Sequence, residues 1–263
     1  MSTVRPEHAD ATDPVELDAM ARFAERYGAP DLGPVTVVMA AYREAASIGA
    51  VLREIPRAPG AAALTTLVID DGSDDDTADI AAAAGAYVCS TVNRGQGAAL
   101  RLGYRLAVMH GAQILVSIDA DGQYDPAEIP SLVEPILLDR ADFVSGSRRL
   151  GRNEAGDRFR DLGVTLYAWV MRLLTGQRIT DPSFGLRAMR ADVASTVPLR
   201  QPQFQAAELL VGAALRGYRV AEVPGVMRRR SAGESRKGPN LIYGARFGWV
   251  LVSTWWRTRR KST

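Results

Sequence analysis

The sequence predicts an α/β fold built on a buried, mostly parallel sheet flanked by helices. Three observations predict it. Short apolar, β-branched runs alternate with helical patterns from Val35 to Ser145. Those runs are continuously apolar rather than alternating, as expected of strands covered on both faces. Carboxylates stand at the ends of the second and fourth runs, where open α/β sheets place their ligands.

The elements follow in order. Residues 1–12 read as a loose tail. Asp13 is an N-cap, Pro14 fits the first helical position, and Gly28 is a stop. They bound a helix over Pro14–Tyr27, with Leu17, Met20, Phe23 and Ala24 at helical spacing, expected to pack outside the main fold. Val35–Ala41 is the first strand, and a helix over Ala46–Ile55 is ended by Pro56. Strand Leu64–Ile69 leads to helix Asp75–Ala84, and strand Ala86–Ser90 to helix Gly97–His110. Strand Gln113–Ile118, helix Pro126–Asp139 and strand Ala141–Ser145 complete the regular part. Beyond it the pattern predicts a helix over Asp157–Thr175, a strand over Thr180–Met189, a helix over Gln205–Arg216 and a strand over Tyr218–Val226. Arg228–Pro239 is a basic, Gly/Ser-rich loop and Leu241–Trp256 an aromatic-rich helix. Neither an internal repeat nor a separating linker is evident. The expected organisation is a tail and helix (1–30), a central domain (31–238) and a basic, amphipathic C-terminal helix (239–263).

Composition narrows the function. The chain has 263 residues, 47% hydrophobic and 24% charged, which excludes disordered and collagenous classes. The single Cys89 excludes a disulfide framework and a thiolate metal cluster. His8 and His110 are too few for a His-rich zinc site. No uncharged apolar run reaches the ~18 residues a membrane span needs. The polar, acidic start is unlike a secretory signal, so the expected compartment is the cytoplasm. The net charge of +2 hides an asymmetry: residues from Arg228 onward carry ten cations against Glu234 alone, and the rest of the chain is acidic. A basic end of this kind suits an anionic partner. Thirty arginines against two lysines carry no binding inference, because coding bias explains them equally well.

Three motifs carry chemistry. In Ser117-Ile118-Asp119-Ala120-Asp121-Gly122-Gln123 an apolar strand ends in two carboxylates. If the strand alternation continues, both point the same way. Two such oxygens, with Gln123 as a further donor, suit Mg²⁺ or Mn²⁺ with substrate phosphates completing the shell. An acidic Asp-Gly turn explains the same residues. In Leu67-Val68-Ile69-Asp70-Asp71-Gly72-Ser73 a strand-end carboxylate can accept from a ribose or base, while Ser73 or Asp74 can cap the next helix, and a capped acidic turn explains Asp74–Asp76 equally well. In Asn93-Arg94-Gly95-Gln96-Gly97-Ala98-Ala99 small residues precede a helix, which admits either an anion at the helix N-terminus or a plain tight turn.

Together these pieces resemble the family 2 glycosyltransferases of the GT-A fold, in particular the polyprenol-phosphate mannose synthase branch. Ala40-Ala41-Tyr42-Arg43-Glu44 stands for the family's Pro-x-Tyr-Asn-Glu, with proline and asparagine both replaced. Asp70-Asp71-Gly72-Ser73, Asn93-Arg94-Gly95-x-Gly97 and Asp119-Ala120-Asp121-Gly122-Gln123 match its next elements. Gly146-Ser147-Arg148, Asp181-Pro182-Ser183-Phe184-Gly185-Leu186-Arg187, Phe204-Gln205 with Glu208, and Arg230 to Lys237 follow in order.

The resemblance implies an enzyme acting on a nucleotide diphosphate-sugar, with GDP favoured over UDP. It places the nucleotide on Ala41, Tyr42, Glu44, Asp70, Asp71, Asn93, Gly97, Ala120 and Arg160, and Mg²⁺ or Mn²⁺ on Asp119, Asp121 and Gln123. The cation would neutralise the leaving diphosphate. Arg158, Arg160, Arg228 and Arg230 are candidates to hold phosphates bidentately. Glu208 is a catalytic base or the partner of a core arginine. Lys237 closes over a phosphate or solubilises its loop. The acceptor of this branch is polyprenyl phosphate. A GDP-sugar mutase of the same fold, with no separate acceptor, is the alternative. Phe247, Trp249, Trp255 and Trp256, followed by Arg257, Arg259, Arg260 and Lys261, fit either a helix on the inner face of a membrane or a helix packed on the sheet. Nothing calls for nucleic acid, and a homo-oligomer stays open.

Overall fold

A computed structural model describes residues 13–56, 64–154, 158–201, 203–229 and 240–260, the side chains of 158–162, 240–245 and 260 excepted. Its elements, in chain order, are α1 (Pro14–Tyr27), β1 (Val35–Ala41), α2 (Ile48–Glu54), β2 (Leu64–Asp70), α3 (Thr77–Ala83) and β3 (Tyr87–Ser90). Then come α4 (Gln96–Met109), β4 (Ile114–Ser117), a 3₁₀ turn (Pro126–Glu128), α5 (Ile129–Leu137) and β5 (Phe143–Asn153). The second half holds α6 (Arg158–Thr175), β6 (Arg187–Arg190), α7 (Ala191–Thr196), α8 (Gln205–Leu215), β7 (Val220–Met227) and α9 (Asn240–Arg260).

The seven strands form one sheet in the order β3-β2-β1-β4-β6-β5-β7. β1 pairs in parallel with β2 and β4, and β2 with β3. β6 runs antiparallel to both β4 and β5. The reversed direction of β6 was not legible, because Arg187–Arg190 is too short a run to carry a direction signal and its pairing forms only in the packed sheet. Helices cover both faces over two buried clusters, one including Val38, Leu102, Phe143 and Leu209, the other Met39, Ile48, Val116 and Phe184. Fully burying a side chain such as Phe143 contributes about 1.5–3 kcal/mol.

Several expectations need correction. The helix expected outside the main fold buries Phe23 in the first cluster. Its buried Glu16 pairs with Arg105 of α4 at 2.9 Å, and the Tyr27 hydroxyl accepts from the Val88 amide of β3 at 3.2 Å. The strand expected over Thr180–Met189 is confined to β6, and residues 180–186 form a loop instead. β5 runs eight residues beyond Ser145, with a register shift against β7 between Ser147 and Arg152. A Cβ on Gly151 would stand 2.3 Å from the Gly225 carbonyl, so two glycines let the strands cross this irregularity. Helix α7 went unread, being six residues long. The basic loop lies beyond the described residues from Arg230 to Pro239.

α9 packs on α8 and α6 and buries Phe247, Val250 and Leu251. Among the described residues no helix is long and apolar enough to cross a membrane.

Candidate active site

The parallel strands β1, β2 and β4 end on the same side of the sheet, and their loops meet there. After β1 the chain turns through Arg43 in the left-handed region, φ 55°. The Arg43 amide donates to Ser73 Oγ at 2.9 Å, and its guanidinium pairs with Asp74 while lying 5.3 Å from the Tyr42 ring. The Glu44 amide donates to Thr77 Oγ1 at 2.8 Å, and its carboxylate accepts from Ser47 Oγ at 2.8 Å.

After β2, buried Asp70 accepts from the Ser73 amide at 3.1 Å. Buried Asp71 accepts from the amides of Arg94 at 2.9 Å and Gly95 at 2.8 Å. Burial pushes the Asp71 carboxyl up, and these amides oppose the shift. Asp71 thereby fastens the 93–95 loop to the end of β2. Gly72 has φ 77° and its Cβ position lies 2.7 Å from the Asn93 amide nitrogen, so only glycine fits. Asn93 is exposed and Gly97 buried. What approaches Gly97 is the Gln201 carbonyl, 2.1 Å from its Cβ position.

β4 stops at Ser117, so Asp119–Gly122 form a turn beyond the strand. The pair is positioned by that turn, not by strand alternation. Asp121, buried, accepts from the Gln123 amide at 3.0 Å, and Gly122 takes φ 72°. Asp119, half-buried, accepts from Gln96 Nε2 at 2.8 Å. Ala120 is buried beneath them. Among the described residues no group of three or more His, Cys, Asp or Glu could hold a metal ion alone. Two hard carboxylates plus substrate phosphates are nonetheless the usual shell of Mg²⁺, so the donor set fits a divalent cation carried with a diphosphate.

A pocket of about 190 Å³ opens beside Asp119 and Gln96. Its polar floor holds Tyr104, Ser117, Arg148, Ser183, Arg187 and Gln205. Its far wall is Val164 and Tyr167 of α6, Phe204, and Phe247 of α9. Arg148, buried, donates through Nε to Asp181 at 2.6 Å and through Nη2 to Ser183 Oγ at 3.0 Å. Glu222 of β7 accepts from the amides of Thr180 at 2.7 Å and Asp181 at 2.9 Å. Burial holds the Glu222 carboxyl above the usual carboxylate range. The 180–186 loop is thus a clamp that aims Arg148.

The other expected site residues fall in different places. Glu208 is fully buried and lies outside the pocket lining. It accepts from the amides of Arg200 at 2.9 Å and Gln201 at 3.0 Å, and from Arg257 Nη2 at 2.9 Å. Arg228 pairs with Glu54 at 2.6 Å and Asp125 at 2.8 Å, and its amide donates to the Gln123 carbonyl at 2.8 Å. These partners hold the guanidinium above its ordinary pKa, so it stays charged. Arg158 and Arg160 lie in the first turn of α6, their side chains outside the described residues. Arg230 and Lys237 lie outside the described residues altogether.

Tyr104, Arg148, Arg187 and Gln205 were not expected as site residues. Gln96, Leu100 and Tyr104 recur every four residues along α4, a signal that they share one face. Arg148, Arg187 and Gln205 stood inside segments read as motifs, but their direction comes only from the packed loop.

Residues 36–197 match Glycosyl transferase family 2. A dolichyl-phosphate hexose transferase of Haloferax volcanii is 33% identical over 218 residues, covering 83% of this chain and 92% of that protein. An undecaprenyl-phosphate mannosyltransferase of Micrococcus luteus is 31% identical over 204 residues, covering 72% of this chain and 83% of that protein. A crystal structure of glucosyl-3-phosphoglycerate synthase from Mycobacterium tuberculosis, in complex with Mn²⁺ and UDP-glucose, superposes with a TM-score of 0.64 at 26% identity. It covers 88% of this chain and 82% of that one. The extent of the family match and the identity to these relatives establish that the chain belongs to glycosyl transferase family 2, on a GT-A fold.

Proposed function

We propose that the protein transfers the glycosyl group of a nucleotide diphosphate-sugar, GDP-sugar in preference to UDP-sugar, to a polyprenyl phosphate at a membrane surface. One observation carries this reading. The pocket runs from Asp119 to an aromatic wall built by α6 and α9, and both helices turn apolar stripes outward. On α6 the stripe is Leu166, Trp169 and Leu173; on α9 it is Trp249, Val252 and Trp256. Each triplet has the i, i+3, i+7 spacing of one helix face. Trp169 is 62% exposed and Trp249 69%. Tyr167 and Phe247 join the two helices on their inner side, ring centroids 4.5 Å apart. Exposed tryptophans beside exposed Arg259 suit a helix pair lying in an anionic lipid surface. The names of the relatives support a lipid phosphate acceptor, and the neighbour holding Mn²⁺ and UDP-glucose supports the donor class and a divalent cation.

In this reading Asp119 and Asp121, with Gln123, hold Mg²⁺ or Mn²⁺, which supplies Lewis-acid neutralisation of the diphosphate when bound. Asp70 and Asp71, with Ala41, Tyr42, Glu44, Asn93, Gly97 and Ala120 around them, form the nucleoside side. Asp71 contributes by holding the 93–95 loop closed. Arg158, Arg160, Arg230 and Lys237 supply cations to the diphosphate, and Arg228 braces the 119–125 turn from outside. The aromatic extension of the pocket is room for an acceptor, which favours transfer over the mutase alternative.

The test incubates the protein with Mn²⁺ and GDP-mannose, UDP-glucose or UDP-N-acetylglucosamine, with and without undecaprenyl phosphate vesicles, read by mass spectrometry and NMR. A glycosylated lipid formed only with vesicles is expected. A sugar-nucleotide isomer of unchanged mass, formed without lipid, replaces transfer by the mutase. Trp169→Ser with Trp249→Ser should abolish co-flotation with anionic vesicles, and co-flotation at the wild-type level overturns the membrane face.

A further inference from the structure

Three buried polar groups in the pocket lack a hydrogen-bond partner: the Tyr104 hydroxyl and two nitrogen donors, on Gln205 and Arg187. Gln205 and Arg187 are each 3% exposed and line the same cavity. Gln205 Nε2 and Arg187 Nε have no hydrogen-bond partner. Arg187 donates through Nη2 to the Phe184 carbonyl and forms no ion pair among the described residues. An unsatisfied buried donor costs about 1–3 kcal/mol, more for a charged group, unless a ligand meets it.

The backbone holds Gln205 there under strain. Phe204, immediately before it, has φ 67° and ψ 31°, a left-handed conformation rare for a bulky residue. Such strain persists where the surroundings impose it, and it concentrates at ligand sites. The turn also seats the Gln205 amide against the start of α4, with Nε2 2.5 Å from the Cβ position of Gly97. A side chain at Gly97 would displace both the amide and the Gln201 carbonyl.

The chemistry of the lining selects the occupant. In the proposed reading Asp119 would hold a cation that takes the diphosphate, which would place the sugar one bond beyond it. A neutral amide and the Nε–H of a guanidinium present donors to hydroxyls, and the rings of Tyr124 and Phe204 face the same cavity. Alternating polar and C–H surfaces of a pyranose match such a lining. We propose that Gln205 and Arg187 are the positioning residues that hold hydroxyls of the transferred sugar, and so set which sugar is transferred. The proposal deepens the transferase reading and rests on it.

Isothermal titration calorimetry with Mn²⁺ tests it, comparing GDP-mannose with GDP and UDP-glucose with UDP. Wild type should bind one sugar nucleotide tighter than its parent diphosphate. Gln205→Leu should weaken that sugar nucleotide about tenfold while leaving the diphosphate within about twofold, the scale of one lost buried hydrogen bond. Gln205→Glu, of the same shape but accepting where the amide donates, and Arg187→Lys should show the same selective loss with an unchanged circular dichroism spectrum. Equal losses for sugar nucleotide and diphosphate, or none in any folded variant, overturn the subsite and leave the transferase reading intact. Wild type that binds neither class overturns both. Selective loss of inorganic phosphate binding instead assigns the donors to an anion and overturns the sugar assignment.

Discussion

The Glu208 carboxylate meets the Arg257 guanidinium at 2.9 Å, joining the helix that carries Gln205 to the helix that carries Trp249 and Trp256. Glu208 is fully buried and also holds the amides of Arg200 and Gln201, so it pins the chain just before the pocket. Removing one partner of a buried charged network costs about 3–5 kcal/mol. Glu208→Ala should lower unfolding free energy by about that much in urea titrations. Glu208→Gln, which keeps the shape and one acceptor, should retain turnover within about tenfold. A loss of about 10³-fold in a stably folded Glu208→Gln would instead make Glu208 the catalytic base.

Asp71 makes two backbone hydrogen bonds to the 93–95 loop, both from amides. Asp71→Ala releases that loop, so nucleotide affinity should fall by about 1–3 kcal/mol, the value of hydrogen bonds to a charged group. Calorimetry with GDP and UDP measures it. Asp71→Asn should fall between, because one amide oxygen replaces two carboxylate oxygens. Affinities equal to wild type would remove the 93–95 loop from the nucleotide site.

Asp119→Ala and Asp121→Ala should each abolish turnover. The two differ in structural effect. Asp119 is half-buried and bonded to Gln96, so its loss should leave the melting temperature nearly unchanged. Asp121 is buried and closes the turn onto the Gln123 amide, so Asp121→Ala should also lower it. Exhaustive chelation of wild type should match Asp119→Ala, and Mn²⁺ should restore it. Full activity in protein stripped of metal overturns the cation site.

The first half of the fold was legible because every strand is a short apolar run bounded by glycine, proline or acidic turns. β1 over Val35–Ala41 matches its expected bounds without shift. The second half was harder. Thr180–Met189 is expected as one strand, yet Pro182 and Gly185 break it, and the Asp181 clamp on Arg148 is a tertiary feature. The acidic turns at Asp70–Asp71 and Asp119–Asp121 were visible because their spacing is local. The pocket floor was not, since Tyr104, Arg187 and Gln205 come from three separated elements that meet only when the sheet forms.

The arginines divide by partner. Breaking the anomeric bond adds negative charge to the diphosphate, and a cation at Asp119 leaves part of it uncompensated. Arg158→Ala and Arg230→Ala should each slow turnover by about 10²-fold, the usual effect of removing one stabilising donor, with a smaller effect on nucleotide affinity. Arg228→Ala should slow turnover comparably and also destabilise, because Glu54 and Asp125 lose their shared partner beside the metal turn. Lysine at each position should restore only part of the rate, since a point charge does not replace a bidentate fork. Alanine variants of all three at the wild-type rate would make them surface solvation.

Glu128 gives the fold a pH signature of its own. It sits at the end of the 3₁₀ turn before α5, where one carboxyl oxygen accepts from the Val226 amide of β7 at 2.7 Å and the other is buried without a partner. Burial pushes the group from its ordinary 4.5 up to about 7, and nearby Asp125 adds to the shift. The Val226 amide, Arg228 and Arg152 oppose it. Between those two values the folded protein keeps a proton that the unfolded chain releases. Stability from this group is therefore fully present below pH 4.5, falls as pH rises, and levels off above about 7. Glu128→Gln keeps an acceptor for Val226 and removes the titration. The difference in urea midpoint between variant and wild type should grow from pH 5 to pH 8, with the variant relatively more stable at pH 8. Parallel pH profiles for the two proteins would mean that water reaches this carboxyl and that its titration is uncoupled from folding.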